Sequence, residues 1–371
     1  MRKCLLILFS LLLTLSCDDN IEDYQSERFL KLFCRGEESI SNDVIELPGE
    51  GYVFTGYDMV EEDKQLLFVR TDIYGNELNN RIYGSVSTDE EGLVVKQVSD
   101  GFIIGGVIVN NNISSIIMKL NTQGDSIWSY VIQKNNMDVV LKDFLVSGTD
   151  IYATGYEQTV GANPDPFFVS MDLSGEGAKV YRKFTNAVPS GIFQIENDFV
   201  VVGNNLDNDL FISKFQSGLS RNPQTIDNGF GNMQIRDAVY SNDHIFLLSS
   251  LGETMKVVKM DTAYSRIWQS EISTDMVGKS MTVFADGSLM VFGETVINEN
   301  YYSQPVFLST SGNISYGDNV FKIFSGQTMC AVSTMDNGIV FSGCTNATNV
   351  QKARLVKTGS DLFLLKPQDP K

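Results

Sequence analysis

Val98-Ser99-Asp100-Gly101-Phe102-Ile103-Ile104-Gly105-Gly106 ends one apolar strand, turns through Asp-Gly and runs into a second apolar stretch closing on glycine. The same phrase returns at Gly49-Glu50-Gly51-Tyr52-Val53-Phe54-Thr55-Gly56, Thr149-Asp150-Ile151-Tyr152-Ala153-Thr154-Gly155 and Asn197-Asp198-Phe199-Val200-Val201-Val202-Gly203. Three more copies are Asn242-Asp243-His244-Ile245-Phe246, Asp286-Gly287-Ser288-Leu289-Met290-Val291-Phe292-Gly293 and Asn337-Gly338-Ile339-Val340-Phe341-Ser342-Gly343. Copies of short strands about 44 to 51 residues apart are the spacing of a propeller with one blade per copy. The chain therefore reads as all-β, a seven-bladed β-propeller of four-stranded antiparallel blades.

The copy around Asp100 parses into strand A over residues 93–98, B over 102–107, C over 116–120 and D over 127–132. Strand B is apolar at successive positions, as in Phe102-Ile103-Ile104 and Val200-Val201-Val202. A sheet covered on both faces by neighbouring blades reads this way. Strand C has its own phrase, with a turn just after: Ile117-Met118-Lys119-Leu120-Asn121 with Gly124, and Phe168-Val169-Ser170-Met171-Asp172 with Gly175. Trp128, Tyr181 and Trp268 follow on strand D, as packing anchors between blades or as a stacking platform for sugars.

The chain ends suggest how the ring closes. Asp361-Leu362-Phe363-Leu364-Leu365-Lys366-Pro367 resembles Asp209-Leu210-Phe211-Ile212-Ser213-Lys214-Phe215, which assigns it to strand C of the last blade. Arg28-Phe29-Leu30-Lys31-Leu32-Phe33 precedes the first strand A, where a strand D would lie. The N-terminal strand is expected to complete the last blade, because an open ring would leave an unpaired apolar edge.

Residues 1–16 lie outside that fold. Arg2 and Lys3 precede an apolar run, and the segment ends Leu13-Thr14-Leu15-Ser16-Cys17. This resembles a bacterial lipoprotein signal, which implies lipidation of Cys17; residues 17–25 then form an acidic tether and residues 26–371 the propeller. In Bacteroidetes-type lipoproteins such a tether resembles an export signal, which implies an outer-membrane, lipid-anchored protein facing the cell surface, with the periplasm as the alternative. The membrane is then a partner through the lipid. Net charge is −18, which argues against nucleic acid, since phosphate binding needs clustered Lys and Arg.

Catalytic sets are not apparent. His244 is the one histidine and occupies a turn, which leaves neither the usual zinc ligand set nor a visible triad. The glycines open hairpins rather than phosphate-binding helices. Cys34, Cys330 and Cys344 all map to the closing blade. Cys330 and Cys344 lie near each other across a hairpin, where a disulfide is one reading and free buried thiols the other.

The Asp100-to-Gly106 phrase, followed by Ile117-Met118-Lys119-Leu120-Asn121-Thr122-Gln123-Gly124 and Trp128, resembles the repeats of quinoprotein-like and WD40-like propellers, more narrowly the propeller lipoproteins of Bacteroidetes. The resemblance covers about residues 26–371 and implies blade architecture. The cofactor-pocket residues of quinone-dependent dehydrogenases have no counterpart, so no cofactor is expected.

Function is expected on the face shared by the B–C loops and the blade-to-blade D–A connections, where the copies disagree. The candidate ligand-binding residues are Asp58, Glu61, Asp63, Asn111, Asp165, Asn205, Asp207, Asp209, Asn298, Tyr301 and Tyr302, in loops read as long and irregular, the last spanning residues 345–360. Tyr, Asn and Asp suit a glycan or a peptide through stacking and hydrogen bonds, or calcium through their oxygens. The leading expectation is a non-enzymatic binding or scaffold lipoprotein for protein or carbohydrate. A polysaccharide hydrolase or lyase using loop carboxylates such as Asp207 and Asp209, and a structural subunit bound to an outer-membrane protein, are the alternatives.

Overall fold

The computed structural model describes residues 27–181, 186–216, 232–252, 254–273, 276–298, 300–315, 324–345 and 350–359. These form seven antiparallel sheets and no helix, arranged as the blades of a β-propeller. The innermost strands, A of blades 1 to 7, are Ser39–Leu47, Asp89–Val98, Asp138–Ser147, Ala187–Ile195, Ile235–Ser241, Val277–Val283 and Gln327–Ser333. In each blade A pairs with B and B with C; blade 4 shows three strands among the described residues, and Phe324–Ser325 adds to strand C of blade 6.

Closure follows the expected route at one strand and a different one at its neighbour. Phe29–Phe33 is strand D of blade 7, with Phe29 opposite Lys357 and Phe33 opposite Ala353. Strand C of that blade is Lys352–Thr358 rather than residues 361–367, which lie outside the described residues, and it occupies part of the expected last loop. The charges of Lys352, Arg354 and Lys357 disguise the strand. Arg354 and Lys357 are buried in it, and the fold supplies acceptors to the Arg354 terminal nitrogens and to the Lys357 ammonium. Arg354 donates to the Ser325 and Gln327 carbonyls and to Thr328 Oγ1, and Lys357 Nζ donates to Asp336 at 2.8 Å.

The core lies between blades. One cluster joins Val94 and Ile103 of blade 2 to Leu141, Phe144 and Val169 of blade 3, and comparable clusters fill the other gaps. Strand B is buried along nearly its whole length, as in Ile339–Thr345, because both faces of each blade are covered.

The strand C phrase has a local cause and a packing cause. Asp172 Oδ1 accepts N–H bonds from Ser174 and Glu176, folding an Asx turn that leaves Gly175 at φ 84°. That glycine seats the preceding blade: a Cβ on it would lie 2.7 Å from the Trp128 ring, and Trp128 Nε1 donates to the Leu173 carbonyl at 3.1 Å. Trp268 repeats the arrangement against Gly312 and Thr310. The two tryptophans are bolts between blades.

Candidate functional site

Every strand A carries one β-bulge near its start. The register slips between Ser41 and Asp43, Gly92 and Val94, Leu141 and Asp143, Pro189 and Gly191, Ile235 and Asp237, Gly278 and Ser280, and Thr328 and Cys330. A bulge inserts one residue and bends the strand. The inserted residues, Asn42, Leu93, Lys142, Ser190, Arg236, Lys279 and Met329, all line a central channel of about 630 Å³. They sit toward the channel end that faces the D–A connections and B–C hairpins.

The bulge leaves backbone N–H groups in need of acceptors, and aspartates in alternate blades supply them. Asp43 accepts from Val44 of its own blade at 2.9 Å and from Val95 of the next at 2.8 Å. Asp143 takes Phe144 and Ile192, and Asp237 takes Ala238 and Met281. Each carboxylate thus serves two blades, and the equivalent position in the blade between is Val94, Gly191 or Ser280. Seven is odd, so blade 7 needs another device. Its Ala331 N–H is taken by Ser280 Oγ at 3.0 Å, and Cys330 Sγ turns to Asp43 Oδ1 at 3.0 Å.

The charges in the channel are coupled. Burial opposes the charge of Lys96, but the carboxylates of Asp43, Asp143 and Asp237 outweigh it and hold the ammonium above the usual lysine range. Burial raises the Asp143 carboxyl, with Lys96 and the two N–H donors pulling the other way. Asp237 is pushed up to about 6, chiefly by burial and against its N–H donors. Cys330 is driven well above the ordinary thiol value by burial, then by the charge of Asp43.

A pH dependence follows. An aspartate titrates near about 4 in an unfolded chain, while folded Asp237 titrates at about 6. The folded state therefore holds the proton more tightly, and this contribution is fully present below about pH 4 and is lost as pH rises through about 6. The stability difference between the parent and Asp237→Asn should shift against the aspartate by on the order of 3 kcal/mol across that window. Urea melts of both proteins across it measure the shift, and a gap independent of pH would refute the assignment.

The sequence-predicted residues separate into those the fold consumes and those it leaves outward. Asp58 is buried within Gly51–Val60 and accepts from the Arg35 and Gly36 N–H groups and Ser39 Oγ, so it ties down the segment after the closing strand. Asp63 accepts from Ser87 N, and Asp165 from Asn186 N. Asn205 folds an Asx turn by accepting from Asp207 N and Asp209 N, and its amide reaches the Asp209 carboxylate at 3.4 Å.

The B–C connections in blades 1, 2 and 6 are tight turns rather than long loops, because the strands run further out than expected. Glu61 and Glu62 form one turn with φ of 52° and 72°, and Asn298, at φ 48°, stands in another. Tyr301 and Tyr302 belong to the strand Asn300–Leu308, opposite Val296 and Thr295, with Val296 and Ile297 58% and 53% exposed at the hairpin tip. Asn111 lines a cavity of about 410 Å³ whose other walls are Asn110, Asn112, Ser114, Gln133, Lys134, Asn135 and Asn136.

Cys34, Cys330 and Cys344 are free thiols. Cys330 faces Asp43 in the channel while Cys344 Sγ points to Gln327, and Cys34 lies just past the closing strand. His244 opens a strand opposite Ser241, with Asn242 and Asp243 forming the turn. No group of three His, Cys, Asp or Glu side chains is placed to hold a metal among the described residues.

The channel ring was missed in the sequence, although it leaves a trace. Asn42-Asp43-Val44, Lys142-Asp143-Phe144 and Arg236-Asp237-Ala238 share one pattern at one offset in blades 1, 3 and 5. A search at twice the blade period would have found it.

No protein-family profile matches the chain, and no curated protein matches it. Solved structures of the same architecture do. A streptogramin B lyase superposes with a TM-score of 0.58 at 13% identity, over 89% of this chain and 98% of that one. A puromycin hydrolase gives 0.56 at 10% identity, over 84% of this chain and 51% of that one. The WD40 domain of Neurospora crassa Pan2 gives 0.54 at 10% identity, over 87% and 97%. At such identities the likeness is one of fold, and it spans a lyase, a hydrolase and a WD40 domain.

Proposed function

We propose that the protein is a binding module, tethered to the outer membrane by lipid on Cys17, that engages a glycan on the face of the B–C hairpins. The observation that carries this reading is the cavity around Asn111. Its walls are side-chain amides with one hydroxyl and Lys134, and Lys134 is itself paired with Glu157 at 2.8 Å. An amide both donates and accepts, as sugar hydroxyls do, and needs no charged partner. Four of the loop carboxylates are taken up by the fold: Asp58, Asp63 and Asp165 hold backbone N–H groups, and Asp209 lies against Asn205.

A protein partner is the second reading, favoured by the hairpin tip where Val296 and Ile297 stand exposed beside Tyr301. One pair of variants separates the two. Asn111→Ala with Asn135→Ala should weaken retention on a panel of immobilised neutral polysaccharides by roughly tenfold, with Tyr301→Ala and Tyr302→Ala unchanged. The reverse pattern would assign binding to the tip. If the parent is retained by no polysaccharide, the glycan reading fails.

A further inference from the structure

We infer that the mouth of the central channel is a binding site for an oxyanion, a carboxylate or phosphate group carried on a small uncharged body. The bulges make the mouth two-sided. Lys142, Arg236 and Lys279 project from blades 3, 5 and 6, with the small Ser190 of blade 4 between the first two, whereas Met329, Asn42 and Leu93 project from blades 7, 1 and 2. A cationic arc thus faces a neutral and apolar one across a cavity of about 630 Å³, a size that suits a small organic ligand.

The cations of that arc differ in what holds them. Lys279 is paired with Glu294 at 3.4 Å. Lys142 and Arg236 have no carboxylate partner among the described residues: Arg236 donates to the neutral Gln234 Oε1, and Lys142 stands 5.6 Å from the centre of the Tyr156 ring. Both side chains are exposed. The chain has 46 acidic residues against 28 basic ones, so acidic partners for a cation pair are plentiful in composition. The Lys142 ammonium is held below the usual lysine range, first by loss of water around it inside the channel mouth and then by the charge of Arg236. An anion at the mouth offsets that repulsion, and a guanidinium and an ammonium on the same arc offer an oxyanion a forked donor and a point charge.

The rest of the ring sets the depth of the site. Asp43, Asp143 and Asp237 lie one residue further along their strands, with their oxygens committed to N–H donors. Their charge, only partly offset by Lys96, repels an anion that moves inward. The ligand is therefore held at the mouth, with its uncharged body against Leu93 and Met329.

The test titrates the full chain at constant ionic strength with inorganic phosphate, with glucuronate and with glucose, following Lys142 and Arg236 side-chain resonances. Expected is a saturable response to phosphate, to glucuronate or to both, with Kd on the order of 1 mM and no response to glucose. Whichever anion binds identifies the source of the oxyanion. Lys142→Met with Arg236→Gln should weaken that binding by roughly tenfold or more, read by calorimetry, while the melting curve stays that of the parent. Arg236→Gln alone serves should the double variant melt early. A lack of saturation with both anions, an equal response to glucose, or undiminished binding by the variants overturns the site. Asn111→Ala with Asn135→Ala should leave the anion response intact, so failure here and failure of the glycan reading are distinguishable.

Discussion

Phe29→Ala combined with Phe33→Ala should turn the protein into an aggregating species. The two rings are the inward-facing residues of the closing strand, each 7% exposed, whereas Leu30 and Leu32 between them are 45% and 44% exposed. Phe29 meets Tyr52 edge-on with centroids 5.7 Å apart, and Phe33 meets Phe54 at 5.0 Å, so the strand bolts blade 7 to blade 1. Each truncation costs about 3–5 kcal/mol, and the pair approaches the whole margin of about 5–15 kcal/mol that holds a domain folded. Loss of the strand also uncovers the edge of Lys352–Thr358, whose backbone pairs with Phe29–Phe33 along its length. Light scattering and a thermal melt measure the outcome. Leu30→Ser with Leu32→Ser is the control, expected to behave as the parent. A double-alanine variant that scatters light no more than the parent and keeps its melting temperature would falsify closure by this strand.

What could be read from the chain, and what could not, follows from which interactions repeat. The turn phrase at Asp100-Gly101 and its six echoes record a backbone requirement, so they mark each A–B hairpin wherever it occurs. The Gly124 and Gly175 turns likewise record both an Asx turn and the seat for an aromatic ring of the preceding blade. Closure is a single event, and there the pattern misled. The segment at residues 361–367 looks more like strand C than Lys352–Thr358 does, because the latter buries Arg354 and Lys357, and burial of a cation is legible only once its acceptors are in place. The candidate site divides in the same way. Asn111 stands in a cavity, but Asp58 and Asp165 are polar because the backbone beside them needs acceptors. The cations at the channel mouth sit on inserted residues, and a bulge shifts their facing by one position. Simple alternation therefore misassigns them.

Asp43 is the residue whose loss the channel ring should tolerate least. Three donors converge on it: the Val44 N–H, the Val95 N–H of blade 2 and the Cys330 thiol of blade 7. It therefore stands at the seam where the pairing of blades by shared aspartates meets the odd seventh blade. Val44 and Val95 are fully buried, which hinders water from replacing the carboxylate at their N–H groups. Asp43→Ala leaves both unsatisfied, at about 1–3 kcal/mol each, and should lower the urea midpoint accordingly with an unchanged slope. Ser280→Ala strands one backbone donor, the Ala331 N–H, and takes a hydroxyl from Asp237, which keeps its two N–H donors; it should cost about half as much. Asp207→Ala, at an exposed turn, should stay within about 0.5 kcal/mol of the parent. The seam also predicts non-additivity. Cys330→Ala removes a donor whose acceptor is Asp43, so its cost should largely vanish in the Asp43→Ala background. Additive losses in that double-mutant cycle, or an Asp43→Ala protein as stable as Asp207→Ala, would mean that the blades hold their register through core packing alone and that the shared carboxylates contribute little to closing an odd-numbered ring.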